Sequence, residues 1–128
     1  MRFLSKHVEL AVEEALKSDH KIKIGAVIFN GRKVISVGHN DAHRAAKKLH
    51  PRFQNFPGSV HAEVAAILKA KTDLRRMKML VVRCSPFKKN LLLAKPCRLC
   101  ESYIRYVGIK RIYYSINNYP YIEECTYD

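Results

Sequence analysis

Four residues between positions 61 and 100 carry side chains suited to catalysis with a bound metal. His61 and Glu63 are separated by one alanine, and Cys97 and Cys100 are separated by an arginine and a leucine. Imidazole and thiolate groups suit Zn²⁺, and three protein ligands leave a fourth tetrahedral position for water. Glu63 is close enough to meet that water without being a ligand. The spacing therefore predicts one catalytic zinc ion held by His61, Cys97 and Cys100.

A purely structural zinc site is the alternative that the cysteines allow. Cys84 could join the three predicted ligands in a closed four-ligand site that only stabilises the fold. Such a site needs no carboxylate at Glu63, and Cys84 lies in an apolar run typical of a strand. The open, catalytic site is therefore preferred, and Cys84 and Cys125 are interpreted as core thiols.

Hydrophobic periodicity predicts the helices and strands that must position these residues. Asn30-Gly31 is predicted to form a two-residue hairpin turn, and Ser59 lies where the N-cap of the second helix is expected. Pro96 is expected in the first turn of the third helix, and Gly108 at its C-terminal end. Helices are predicted at residues 4–17, 61–71 and 96–108, and strands at 24–29, 33–39, 77–84 and 109–116.

This order of elements predicts an α/β domain with a mixed sheet. A helix that connects the third and fourth strands implies that these two strands are parallel. Both metal-binding segments fall at helix N-termini, where partial positive charge favours the thiolate form of cysteine. At 128 residues, the chain is expected to form a single domain, residues 1–128.

Composition limits the location and the partners of the protein. No segment approaches the ~18 consecutive apolar residues of a membrane helix, so no membrane partner is expected. Four cysteines, two of them predicted metal ligands, favour a reducing compartment and predict a cytoplasmic protein. Twenty-four Lys and Arg against eleven Asp and Glu give a net charge of +13, which favours phosphate-bearing partners. A second copy of the chain is a further candidate partner.

Two irregular stretches of the sequence carry much of this charge. Residues 40–60 lead directly to His61, and residues 85–95 lead to Cys97. Loops of this length are usually functional or disordered, and we expect them to line the mouth of the active site. Residues 45–49 could instead form a helical turn packed on the core. The candidate nucleic-acid or phosphate contacts are Arg44, Lys47, Lys48, Arg52, Phe53, Phe56, Lys88 and Lys89.

The combination of His61-Ala62-Glu63 with Pro96-Cys97-Arg98-Leu99-Cys100 resembles the signature of the zinc-dependent cytidine and deoxycytidylate deaminase superfamily. The resemblance extends from the N-terminus to Ile116. It implies a three-layer α/β/α cytidine-deaminase-like fold, a mixed sheet of four to five strands with helices on both faces. Only twelve residues follow Ile116, so the fifth strand and the terminal helix of the family are expected to be short or missing, a shortened C-terminus.

The resemblance also implies roles for individual residues. Glu63 would move protons between water, the ring nitrogen and the departing amine, as a general acid–base group. The backbone N–H of Ala62 would bind the ring carbonyl oxygen, and a carbonyl near Ser85 or Lys95 would accept the exocyclic amine. Asn40 would contact the sugar, although an asparagine that only ends a strand is the alternative.

The predicted function is a hydrolytic deaminase that converts cytosine to uracil. The charge and the Lys/Arg/Phe loops favour single-stranded DNA or RNA as the substrate, because a strand needs a cationic groove with aromatic faces. Free dCMP is the first alternative, favoured by the family resemblance. Adenosine in tRNA is the second alternative, and an inactive, zinc-stabilised nucleic-acid-binding module is the third.

Overall fold

A computed structural model describes residues 2–18, 22–40, 61–84, 91–116 and 122–126 of the chain. These residues form the helices α1 (Arg2–Ala15), α2 (Ala62–Ala70) and α3 (Arg98–Tyr106). They form the strands β1 (Lys23–Asn30), β2 (Lys33–His39), β3 (Lys78–Cys84), β4 (Leu91–Leu92), β5 (Arg111–Ser115) and β6 (Ile122–Thr126). Each predicted helix and strand is present, with small shifts at its ends. No helix in the described part of the chain has both the length and the apolar character needed to cross a membrane.

The strands form one mixed sheet in the order β2-β1-β3-β5-β6, and the short β4 pairs with the end of β3. β3 and β5 are parallel, as predicted from the helix between them, and Lys78 lies opposite Arg111 in their register. The other strand pairs are antiparallel. Parallel pairing places the starts of β3 and β5 at one end of the sheet and their last residues at the other.

Side chains alternate between the two faces of the sheet, and each face is covered by helices. One face packs against α1 through Val27, Phe29, Leu80, Val82 and Tyr113. The other face packs against α2 and α3 through Ala26, Ile28, Met79, Val81 and Ile112. Burial of both faces explains why β1 and β3 read as continuous apolar runs. The arrangement confirms the predicted three-layer α/β/α architecture.

The C-terminal part of the sheet is more complete than expected. Residues Ile122–Thr126 form β6, which pairs antiparallel with β5 at the edge of the sheet. With β4 and β6 the sheet has six strands in the described residues, rather than four to five. β6 escapes prediction because an edge strand pairs on one side only, and its sequence, IEECT, has no apolar run. No helix follows β6 in the residues that the structure describes.

The hairpin between β1 and β2 turns one residue later than predicted. Asn30 pairs with Lys33, so the two turn residues are Gly31 and Arg32 rather than Asn30 and Gly31. Gly31 has φ 59°, a left-handed conformation that glycine adopts without a steric penalty. The requirement for a positive φ therefore places the glycine inside the turn.

Candidate metal centre and active site

Both metal-binding segments begin helices on the same face of the sheet. His61 is the N-cap of α2 and Cys97 is the N-cap of α3, both in extended backbone conformations. The Sγ atom of Cys97 accepts a hydrogen bond from the backbone N–H of Cys100 at 3.5 Å. Pro96 therefore precedes the cap instead of lying in the first turn, because the cysteine sulfur takes the capping role. Ser59, the predicted cap of α2, lies outside the described residues.

Strand β2 holds the first turns of α2 close to the sheet. The hydroxyl of Ser36 donates a hydrogen bond of 2.7 Å to the carbonyl of Ala66. At Gly38 the helix backbone comes so near that an added Cβ would lie 2.4 Å from the nitrogen of Ala66 and 2.7 Å from the carbonyl oxygen of Ala62. A residue without a side chain is therefore required at Gly38 for α2 to rest where it does.

Ser115, at the end of β5, holds the segment that leads to Cys97. Its hydroxyl donates to the carbonyl of Leu92 at 2.7 Å and accepts from the backbone N–H of Arg83 at 3.2 Å. Its own carbonyl accepts from the N–H of Ala94 at 2.9 Å. Ser115 is fully buried, so these bonds replace contacts with water. The role of Ser115 was not predicted from the sequence. The only indication in the sequence was a single hydroxyl side chain at the end of an apolar strand.

The three predicted ligands lie together, with their candidate ligand atoms within 4.8 Å of one another. Nδ1 of His61 is 3.1 Å from Sγ of Cys100 and 3.8 Å from Sγ of Cys97. Tetrahedral zinc, with bonds of about 2.0–2.3 Å, separates neighbouring ligand atoms by about 3.5–3.8 Å. The one nitrogen and two sulfur donors therefore fit a zinc ion in both type and spacing.

A closed four-ligand site has no support in the described residues. Cys84 packs in the apolar cluster under α1, on the face of the sheet opposite the two helices that carry the ligands. Burial raises the pKa of the Cys84 thiol, as for an inert core cysteine. Cys125 is half-buried and packs against the other cluster. Among the described His, Cys, Asp and Glu side chains, the metal-binding group contains only His61, Cys97 and Cys100.

The two ligand thiols differ in their affinity for a proton. A hydrogen bond from the Cys100 side chain, with backbone N–H groups of Cys100 and Leu99 and nearby His61, lowers the pKa of Cys97 to about 5. The same bond to Cys97, together with burial, raises the pKa of Cys100. Without metal, the pair therefore shares one proton, which a zinc ion would displace on binding.

Glu63 lies in the first turn of α2, with its side chain beside the metal-binding group. It is 4% exposed, and burial raises the pKa of its carboxyl group. Hydrogen bonding to Cys100 and the charge of His61 act in the opposite direction. A carboxyl group whose pKa is raised by burial is suited to accept and release a proton in catalysis. Its place in the mechanism stays a prediction.

Ala62 and Asn40 differ in the hydrogen-bond partners of the groups that are predicted to contact the substrate. Ala62 is the first residue of α2, and the first N–H groups of a helix have no partner within it. The Asn40 amide accepts from the N–H of Ile24 at 3.0 Å and donates to the carbonyl of Ile22 at 2.6 Å. Asn40 thus ties the end of β2 to the start of β1, and its contact with a sugar stays a prediction.

The structure places some of the remaining predicted contacts and leaves others undescribed. Lys95 is exposed on the segment before Cys97, and the contact of its carbonyl with a substrate amine stays a prediction. The predicted contacts that lie outside the described residues are Arg44, Lys47, Lys48, Arg52, Phe53, Phe56, Ser85, Lys88 and Lys89.

A buried carboxylate near the end of β2 was not predicted. Glu14 is 3% exposed, and its oxygens lie 2.8 Å from Nδ1 of His39 and 3.1 Å from Nζ of Lys17. Burial, the largest single influence, raises the pKa of Glu14, but the bonds to His39 and Lys17 outweigh it and leave the pKa below its ordinary value. The sequence does indicate that Glu14 is buried, because it follows Ala11 by three positions and so lies on the apolar face of α1.

Known structures resemble this fold. The dCMP deaminase from the cyanophage S-TIM5, in complex with dCMP and dUMP, has a TM-score of 0.62 and 19% identity over 88% of this chain and 80% of its own. The cytidine deaminase from Burkholderia pseudomallei has a TM-score of 0.65 and 16% identity over 93% of this chain and 88% of its own. At these identities, the similarity shows a common fold. No curated protein sequence matches the chain.

A third structure has a higher sequence identity with this chain, but the match covers a smaller part of that structure's own length. It is a diaminohydroxyphosphoribosylaminopyrimidine deaminase/5-amino-6-(5-phosphoribosylamino)uracil reductase from Thermotoga maritima, with 26% identity and a TM-score of 0.52. The match covers 85% of this chain and 28% of that one. The sequence profile of the cytidine and deoxycytidylate deaminase zinc-binding region matches residues 1–116, which include all three ligands and Glu63. The chain therefore belongs to the cytidine and deoxycytidylate deaminase family.

Proposed function

We propose that this protein is a zinc-dependent hydrolytic deaminase that converts the cytosine of a free nucleotide, such as dCMP, to uracil. In this reaction water adds to C4 of the ring, the C4–N bond breaks, and ammonia leaves. The observation that carries the proposal is the grouping of His61, Cys97 and Cys100 with the buried carboxyl group of Glu63 in the first turn of α2. A site that only stabilised the fold would have no use for this carboxyl group.

Each residue around the metal would have a separate role in the reaction. His61, Cys97 and Cys100 would hold the zinc ion, which supplies the Lewis acidity that makes water nucleophilic at neutral pH. Glu63 would take a proton from the attacking water and pass it to the ring nitrogen. It would then move the remaining hydroxyl proton to the departing amine, which leaves as ammonia. The N–H of Ala62, directed outward at the start of α2, would donate to the ring carbonyl and orient the base.

The described residues beside the metal ligands suit the single phosphate of a free nucleotide. A strand groove needs cations arranged along the entrance to the active site. In the described part of the chain, Lys95 and Arg98 are exposed near the metal ligands, whereas five cations gather at the other end of the sheet. One or two cations suffice for the single phosphate of a nucleotide. The S-TIM5 dCMP deaminase, crystallised with dCMP and dUMP, is in keeping with a nucleotide substrate.

The decisive experiment measures uracil and ammonia from a panel of substrates. Zinc-loaded protein is incubated with dCMP, CMP, deoxycytidine, cytidine, a single-stranded oligodeoxynucleotide, RNA and tRNA. We expect uracil from dCMP at the highest kcat/KM, and no product with Glu63→Gln. Formation of inosine within tRNA as the main reaction would identify adenine, rather than cytosine, as the target base. Absence of ammonia from every substrate would favour the inactive binding module.

A single strand remains the second candidate substrate because the net charge of the chain is +13. If the loops 40–60 and 85–95 bind a strand, affinity should fall with log[salt] at a slope of about −0.7 per phosphate contact. Replacing Lys47, Lys48, Lys88 and Lys89 by glutamine should then flatten the slope while activity on dCMP persists. An oligonucleotide bound no better than dCMP at low salt would eliminate this candidate.

A further inference from the structure

The end of the sheet away from the metal carries a group of cations that catalysis does not use. β3 begins there at Lys78 and reaches Cys84 beside β4, about 20 Å away at the rise of an extended strand. Parallel pairing sets Arg111, the first residue of β5, opposite Lys78. The loops after α2 and after α3 both return to this end. Residues more than thirty positions apart in sequence are thereby brought side by side.

A cavity of about 500 Å³ opens between these two loops and the starts of the two strands. This volume is within the range of small-molecule sites, about 300–1,000 Å³. Seven residues line the cavity, and five of them are cationic. The cationic residues are Arg75, Arg76, Lys78, Lys110 and Arg111.

Only part of this positive charge is neutralised within the described residues. Arg75 pairs with Asp73, with Nη2 and Oδ2 2.7 Å apart, and Arg111 pairs with Glu124 at 3.2 Å. Arg76, Lys78 and Lys110 have no ion pair in the described part of the chain. Five cations against two carboxylates leave a local charge of +3. Such an excess attracts an anion with several charges more strongly than one with a single charge.

One of these cations, Arg75, is positioned by contacts within the protein. Asp73 accepts hydrogen bonds from both the backbone N–H of Arg75, at 2.9 Å, and its guanidinium group. Gly108, at φ 95°, leaves room for the stem of Arg75, because an added Cβ would lie 2.6 Å from its Cγ. Arg76 has φ 76°, a left-handed conformation that is strained for a residue with a side chain. The loops that follow α2 and α3 thus meet at Arg75.

We propose that this cavity binds a small anion with a chain of adjacent phosphates, either inorganic oligophosphate or the phosphate chain of a nucleotide. Guanidinium groups bind two phosphate oxygens at once, and ammonium groups add charge without directional restriction. The unpaired Arg76, Lys78 and Lys110 would supply the main contacts. This site lies apart from the active site, so it does not depend on the identity of the deaminated base.

Calorimetry on the zinc-loaded protein at low salt tests the proposal with inorganic tripolyphosphate, orthophosphate and ATP. We expect tripolyphosphate to bind at least tenfold more tightly than orthophosphate. Arg76→Gln and Lys110→Gln should each weaken it by about tenfold, the effect of one charge-assisted hydrogen bond. Lys6→Gln, on the other face of the sheet, should change nothing. ATP binding equal to that of tripolyphosphate indicates that the phosphates suffice, and tighter binding indicates a nucleotide ligand; either result supports the site.

Two further measurements separate this site from folding and from catalysis. Arg76→Gly removes the cation together with its backbone strain, so the melting temperature should be retained or raised while binding is lost. Arg76→Gln should leave dCMP turnover unchanged, so loss of phosphate binding is distinguishable from failure of the proposed function. Equal weakening by Lys6→Gln would overturn the proposal. An unchanged signal in Arg76→Gln and Lys110→Gln, which extraction of zinc by the phosphates would give, would also overturn it. So would an oligonucleotide that binds more tightly than tripolyphosphate with affinity that grows with its length.

Discussion

The two ends of the sheet use polar side chains in opposite ways. At the metal end, Glu63 and Cys100 are withdrawn from water, at 4% and 0% exposure, while Cys97 is exposed. At the basic end, defined by residues 75–78 and 108–111, five cationic residues line an open cavity. Burial shifts the pKa of an ionisable group, and acid–base catalysis requires such a shift. An exposed cation, in contrast, attracts anions while its protonation state stays the same. The same two strands, β3 and β5, carry both environments.

The two ends of the sheet also differ in the source of their free-energy cost. At the metal end, buried polar groups need partners, and two helix N-termini and Ser115 supply them. At the basic end, the charges are open to solvent, and the cost appears as backbone strain, since Arg76 has a positive φ. Substitutions of the packing residues at the metal end should therefore affect catalysis and stability together. Those at the basic end should affect anion binding without lowering turnover.

The largest effect is expected from removal of a metal ligand. Cys100→Ser should reduce zinc affinity by more than the roughly 100-fold that loss of an outer-shell partner costs, because a soft ligand is replaced by a poor one. Metal content and deaminase activity measure the result. Cys84→Ser, a matched change on the α1 side of the sheet, should keep one zinc per folded chain. Equal loss of zinc from both variants would contradict the assignment of ligands.

Glu63→Gln should retain zinc and fold but lose at least about 10²-fold in kcat, since an amide cannot transfer the proton. The control is Glu101→Gln, the same change in the first turn of α3. Steady-state kinetics at saturating dCMP and metal analysis give both quantities. A well-folded Glu63→Gln protein with normal turnover would remove this residue from the mechanism.

Gly38→Ala should disturb the metal end through packing rather than chemistry. The added Cβ would press on the backbone of Ala62 and Ala66, so we expect a loss of about 1–3 kcal/mol in unfolding free energy. Turnover should fall with it, because α2 carries Glu63. Gly31→Ala meets no atom within 4 Å and carries only the cost of its φ of 59°. Denaturant unfolding should therefore show a smaller loss for Gly31→Ala, about 1 kcal/mol, with unchanged turnover.

The smallest effect concerns two carboxylates, one buried and one exposed. The pKa of Glu14 is below its ordinary 4.5 in the folded protein, so its contribution to stability is present above that pH and is lost as the pH falls through the folded value. Glu14→Gln should be less stable than wild type at pH 7, with a difference that shrinks in acid. Asp73→Asn should change the unfolding free energy little at any pH, because exposed pairs contribute little. If Glu14→Gln lowered the unfolding free energy by the same amount at every pH, the expected link between the pKa of Glu14 and stability would be wrong.

Sequence alone predicted the catalytic end of the molecule better than the basic end. His61, Glu63, Cys97 and Cys100 are recognisable because each pair is close in sequence and each begins a helix. The cations at 75–78 and 110–111 become one group only through the register of β3 and β5, which periodicity does not specify. β6 was missed for a related reason, since an edge strand needs no apolar run. The partner of Ser115, the carbonyl of Leu92, likewise depends on tertiary contacts.

The bonds of Ser115 set an order in which the metal end can be assembled. All three ligands and Glu63 precede residue 101, yet the segment before Cys97 is held by a hydroxyl at position 115 that also reaches Arg83. Synthesis from the N-terminus therefore delivers every ligand before the residue that seats two of them. Until β5 has joined β3, the segment before Cys97 lacks these bonds. We therefore expect zinc to be captured only after β5 has paired.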